Sequence, residues 1–222
     1  SHSDFTTHWD TVAREQWHSI NNEYGILSNQ PAKLTEKEEY GADGSNEVPR
    51  QCSVNIGQYE GIPLYDNPAD GYAQDLAGPH LSKTWSAAFS FAKCHLEETA
   101  PYDNFAPQLF DAEQFPRFVR FWTRGYDVYT PSRNIVYHDY GPHPEGIDRL
   151  DWASKGYPNP KVQRQNALRR IKTLLGIEGG DKSPKAMANL GLYGLGKRRT
   201  MKQLEEFVGI DLKGKKGNEG DK

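Results

Sequence analysis

The residues best suited to chemistry lie at the two ends of the first 143 positions. His2-Ser3-Asp4 opens the chain, and His138 stands far along it inside Ile135-Val-Tyr-His-Asp-Tyr140. Imidazole and carboxylate are ligands for divalent first-row metals, and His-x-Asp followed by a distant histidine is the spacing of a non-haem iron facial triad. Arg149, eleven residues after His138, could then bind the carboxylate of 2-oxoglutarate. Glu113 and Gln114 stand at the start of an apolar-patterned segment. A carboxylate at a helix start is held in its charged form by the helix dipole, and it can accept a hydrogen bond from a hydroxyl. Trp85 and Trp122 offer flat aromatic faces on which a ligand ring could stack. Tyr140 and His143 sit on the glycine- and proline-containing stretch after His138, where a closing loop could cover a ligand and exclude water. A buried, hydrogen-bonded histidine at a strand end is the ordinary alternative for His138.

These groups need elements to carry them. Trp9, Val12, Ala13, Trp17 and Ile20 recur at helical spacing and predict a helix over residues 7–20. Tyr24–Ser28 reads as a short buried strand closed by Asn29-Gln-Pro31. Residues 33–50 are polar and read as a surface loop. Gln51–Tyr59 alternates like a strand. Trp85-Ser-Ala-Ala-Phe-Ser-Phe91 reads as a core strand whose small middle residues let a ligand or backbone approach. A short helix over 92–99 follows. The main helix spans 112–124, with Phe115, Phe118, Val119 and Trp122 as its apolar stripe, Pro116 in its first turn, Asp111 as cap and Gly125 as stop. Residues 160–175 predict a basic helix, with Val162, Leu168, Ile171, Leu174 and Leu175 inward and Arg164, Arg169, Arg170 and Lys172 in solvent. Thr200 and Gln203 form a capping-box pattern ahead of a last helix, Met201–Val208. Three long helical patterns argue against the double-stranded β-helix that an iron oxygenase needs.

Composition narrows the classes. The chain has 222 residues and a net charge of −3, from 27 basic and 30 acidic side chains, which gives no footprint for nucleic acid. No apolar run approaches the roughly 20 residues that span a bilayer. Two cysteines, Cys52 and Cys94, are too few for a stapled secreted scaffold and favour a reducing compartment.

With these motifs in view, the chain resembles the cytoplasmic polypeptide-hydroxyproline α-N-acetylglucosaminyltransferases, which modify an adaptor of SCF ubiquitin ligases. It is more distantly similar to the polypeptide GalNAc-transferases. The resemblance is carried by Trp85–Phe91, Pro107-Gln-Leu-Phe-Asp-Ala-Glu113, Arg120–Pro131, Ile135–Asp139 and Leu192-Tyr-Gly-Leu-Gly-Lys-Arg-Arg-Thr200. It implies an α/β protein with the GT-A glycosyltransferase fold, a mixed sheet flanked by helices. It also implies a UDP-sugar donor, UDP-GlcNAc, a protein or peptide acceptor, a divalent cation, usually Mn²⁺, and transfer with retention in the cytoplasm. In these enzymes a strand ends in Asp-x-His, which binds the metal. The opening Ser1-His2 matches the last two positions, so the chain is expected to begin inside that motif and to lack the nucleotide-binding strands before it. His2 and His138 carry over as metal ligands. Glu113 and Gln114 carry over as the catalytic positions, Glu113 for positioning and electrostatics.

Departures from the family pattern bear on activity. Ala87-Ala88 stand where a glycine pair is usual, and Ala112-Glu113-Gln114 where Gly-Glu-Glu is usual. Two added methyls narrow a donor pocket, and Gln114 cannot ionise. A degenerate transferase that only docks a partner protein is therefore the principal alternative. The expected organisation is a metal and acceptor half over 1–150, a helical extension packed on it over 151–211, and a disordered tail over 212–222.

Overall fold

The computed structural model describes residues 3–40, 46–56, 60–65, 71–141, 156 and 158–217. They form a mixed α/β protein. Two strands are β1 (Ser3–Phe5) and β2 (Gly25–Ser28), with helix α1 (Trp9–Ser19) between them. Then come β3 (Ala32–Lys33) and α2 (Leu34–Tyr40). Short strands β4 (Val48–Pro49), β5 (Val54–Asn55), β6 (Leu64–Tyr65), β7 (Tyr72–Ala73), β8 (His80–Leu81) and β9 (Ser90–Phe91) follow. Helices α3 (His95–Thr99) and α4 (Gln114–Trp122) precede strands β10 (Asp127–Thr130) and β11 (Val136–His138). Last are helices α5 (Pro160–Leu175), α6 (Leu190–Tyr193) and α7 (Met201–Val208).

One four-stranded sheet runs β8-β10-β2-β9, and a three-stranded sheet runs β1-β11-β3. β10 and β2 are parallel, as are β11 and β3, while β1 pairs antiparallel with β11 so that Ser3 faces His138. β2 is buried along its whole length and divides the interior. Its alternating side chains explain this. Ile26 joins the larger core with α4, α5 and α7, whereas Leu27 joins a second cluster with Ala13 and Trp17 of α1, Phe89, Ile135 and Val136.

α4 is the centre of the larger core. The expected stripe of Phe115, Phe118, Val119 and Trp122 is buried, but so are Phe121, Arg117 and Arg120. The helix is therefore covered on every side. Fully burying one such phenylalanine contributes about 1.5–3 kcal/mol. A 3₁₀ turn, Phe110–Glu113, leads into it, and Glu113 occupies the N-cap position, with no capping hydrogen bond from its side chain, where the sequence suggested Asp111.

Other local expectations are corrected. Residues 33–50 are not simply a loop, because the helix-forming run Leu34-Thr-Glu-Lys-Glu-Glu-Tyr makes α2. Only Ser90–Phe91 of the expected Trp85–Phe91 strand pairs in a sheet. In its first part the Ser28 and Ser86 hydroxyls take the backbone groups a ladder would use. In α5, Val162 is 55% exposed and Arg170 is buried, the reverse of the expected faces. Asp211 and Lys216 form an isolated antiparallel bridge. The helical core is not the β-helix that the iron-oxygenase alternative requires.

Candidate active site

The C-terminal end of β2 opens into Asn29-Gln30-Pro31, and the polar groups that converge there come from distant segments. Ligand sites of α/β sheets lie outside such strand ends. Ser28 and Ser86 lock the 86–90 segment to β2: Ser86 N–H donates to Ser28 Oγ at 2.9 Å, and Ser28 Oγ donates to the Ser86 carbonyl at 3.0 Å. Ser86 Oγ donates to Gln30 Oε1 at 2.9 Å, and Gln30 Nε2 donates to the Tyr140 hydroxyl at 2.8 Å. Tyr140 in turn donates to the Pro31 carbonyl at 2.8 Å. Its ring packs edge-on against His138, with centroids 4.7 Å apart. His138 Nδ1 and Ser3 Oγ are 3.0 Å apart. At the other end of this chain of bonds, Ala87 N–H donates to Gln114 Oε1 at 3.1 Å.

The fold thus connects four of the expected site residues, Ala87, Gln114, Tyr140 and His138, through Ser86 and Gln30. Ala87 and Ala88 are exposed, so their small side chains leave the local backbone accessible. Burial pushes the Tyr140 phenol above its ordinary value, with the Glu36 carboxylate adding to the rise and the Gln30 bond opposing it. Tyr140 therefore stays a neutral hydroxyl near pH 7, tied to Pro31. Asn29 is 2% exposed, and its Nδ2 has no partner among the described residues, so the strand end also holds one orphaned donor.

The other expected residues lie elsewhere. Glu113 lines a cavity along α4 together with Tyr102 and Arg117. Trp85 is buried, donates Nε1–H to Ser90 Oγ at 3.0 Å and packs edge-on against Phe121. Trp122 is buried and stacks on Phe207 at 5.5 Å. In this structure both indoles serve packing. His2 and His143 lie outside the described residues, as does Arg149.

His138 fits one metal-ligand position. A ligating imidazole binds through one ring nitrogen and is oriented by a hydrogen bond at the other, and the Ser3 hydroxyl supplies that contact. Among the described residues no group of three or more His, Cys, Asp and Glu side chains is placed to hold a metal ion, so they do not complete a ligand set.

Gln30, Ser86 and Ser3 escaped the reading of the sequence. The available signal was Asn29-Gln30 directly after a buried strand, a polar pair at a site-forming strand end that also looks like an ordinary turn.

A family model described as Glycosyltransferase (GlcNAc) matches residues 1–213. The chain belongs to this glycosyltransferase family. A search of curated proteins found no match. Membership gives the network at the end of β2 a chemical context, that of glycosyl transfer. Among the described residues of this glycosyltransferase, no helix is long and apolar enough to cross a membrane.

Proposed function

We propose that this glycosyltransferase moves GlcNAc from UDP-GlcNAc to a hydroxyl of a protein or peptide, with retention and in the cytoplasm. The match of residues 1–213 to a GlcNAc glycosyltransferase family carries the reading. The bonded series from Gln114 through Ala87, Ser86, Gln30 and Tyr140 to His138 supports it, because it ties acceptor-side and metal-side positions into one unit. Mn²⁺ held by His138 and His2 would supply Lewis-acid stabilisation of the nucleotide leaving group. His138 would be oriented for this by Ser3, and Tyr140 would hold the loop beside it. Ala87 and Ala88 would border the donor. Glu113 would act by its charge on the sugar or acceptor hydroxyl, and Gln114 would keep the Ala87 segment in register. The GT-A fold and a hydroxyproline acceptor belong to the same proposal.

The test is calorimetric titration of UDP into the full-length gene product, with and without Mn²⁺, beside its His138→Ala variant. Metal-dependent binding that the variant loses, followed by turnover of labelled UDP-GlcNAc, is the expected result. A complete, folded protein that binds no UDP would overturn it in favour of the partner-docking alternative, which the departures at Ala87, Ala88 and Gln114 favour.

A further inference from the structure

Glu113, Arg117, Arg120 and Arg124 fall in one row along the α4 region, at i, i+4, i+7 and i+11. The first three line a cavity of about 480 Å³, together with Tyr102, Asp103 and Asn104. Its arginines are buried, with Arg117 3% and Arg120 2% exposed. Arg170 of α5, also 2% exposed, reaches the same place by donating Nε–H to Asp103 at 2.8 Å.

Buried guanidinium groups need acceptors for their fixed charge and their N–H groups. Here the supply is short. Arg117 Nη2 meets Glu97 at 2.6 Å, but Glu97 is 60% exposed and gives much of its charge to water. Arg124 is served by the carbonyls of Arg120, Leu192 and Gly194, and among the described residues the Arg120 guanidinium reaches the Leu192 carbonyl alone, at 3.5 Å. Arg117 Nε and Nη1, Arg120 Nε and Arg170 Nη2 have no hydrogen-bond partner among the described residues. Burial pushes Arg120 down to about 10, with Arg124, Arg117 and Arg170 adding repulsion and Asp103 opposing. Glu113 stands on the same cavity wall.

We propose that the cavity is a binding subsite for an oxyanion, a carboxylate or phosphate, received by Arg117 and Arg120. A guanidinium presents paired N–H groups that match two oxygens of such an anion. The space is larger than a bare ion requires, so the anion is carried on a larger body. Tyr102 and Phe110, both exposed aromatics lining the cavity, offer apolar faces to that body. Arg117 lies 3.4 Å over the Tyr102 ring, which fixes its side chain in place. The binding step does not depend on the transferase reading, because no donor takes part in it.

The test titrates inorganic phosphate into the full-length protein by calorimetry, against sodium chloride at equal ionic strength. Two variants at exposed positions change the charge beside the cluster without replacing its arginines. Glu97→Gln removes a competing carboxylate and should tighten phosphate binding about three- to tenfold. Asn104→Asp supplies a competing carboxylate at the cavity wall and should weaken it about tenfold or more. A polyglutamate peptide, with polyglutamine as control, distinguishes the sources. Displacement of phosphate by the first alone assigns the subsite to acidic side chains of a peptide, and retained phosphate assigns it to a small free anion. Phosphate heats no larger than those of chloride, or both variants binding phosphate as the parent does, would overturn the proposal.

Discussion

Gln114 Oε1 accepts the Ala87 N–H across 3.1 Å, joining the first turn of α4 to the exposed 87–88 segment. The bond needs an acceptor, not a charge. The glutamate usual in the resembling enzymes would make the same contact, so Gln114→Glu should stay within about 1 kcal/mol of the parent. Gln114→Leu removes the acceptor and should cost about 1 kcal/mol by urea denaturation. Hydrogen exchange at Ala87 separates the two: it should accelerate in the leucine variant and stay slow in the glutamate variant.

Tyr140→Phe deletes one hydroxyl that both accepts from Gln30 and donates to Pro31. The expected loss is about 1–2 kcal/mol at pH 7, with the rest of the fold intact by circular dichroism. The pH dependence follows from the raised phenol. A group whose folded value lies above its unfolded value gives stability that is complete below the unfolded value, about 10 for tyrosine, and is lost as pH rises through the folded one. The stability gap between parent and Tyr140→Phe should therefore shrink above about pH 10. A gap that widened there would contradict the assignment.

Arg170 and Asp103 are a buried pair, 2% and 7% exposed, joined at 2.8 Å. Removing one partner strands the other. Arg170→Met should cost about 3–5 kcal/mol, and adding Asp103→Asn should recover part of it. Thermal or urea unfolding of the two single variants and the double variant gives the coupling directly. Additive losses would show that the pair does not act as a unit.

Gly196 has no room for a side chain. A Cβ there would stand 2.4 Å from backbone atoms of Thr123 and Arg124, and Gly196 N–H also donates to Thr123 Oγ1 at 2.7 Å. Gly196→Ala should cost about 1–3 kcal/mol. Gly191, in α6 five residues earlier, has nothing within 4 Å of its Cβ position. Gly191→Ala should be neutral or slightly stabilising, which makes it the control for a melting-temperature comparison.

Much of the fold was legible because local rules agreed with tertiary demand. The 3.6-residue recurrence of Trp9, Ala13 and Trp17 marks α1, and Thr200 with Gln203 makes the capping box it advertises. The stripe of α4 and the buried run of β2 were readable for the same reason. Arg170 was misread because a charged side chain on a helix is ordinarily solvated, whereas Asp103 and the carbonyls of Ala186 and Ala188 receive it in the interior. The 85–89 segment was misread because its spacing suits a strand, whereas the Ser28 hydroxyl captures its backbone instead.

The candidate site divides along the same line. The sequence alone determined the helix and strand that carry Gln114 and His138, since periodicity, turn residues and caps act between near neighbours. It also determined the glycosyltransferase resemblance, which rests on motifs within continuous segments. Only the tertiary structure decided that Gln30, 110 residues from Tyr140, is the link between them, and that Gln114 reaches Ala87 across 27. It also decided that Trp85 and Trp122 pack in the interior and that Arg117 and Arg120 line a cavity. Such pairings depend on how sheets and helices settle against one another, and burial of the whole core sets that arrangement, not any preference written in the residues on either side of the contact.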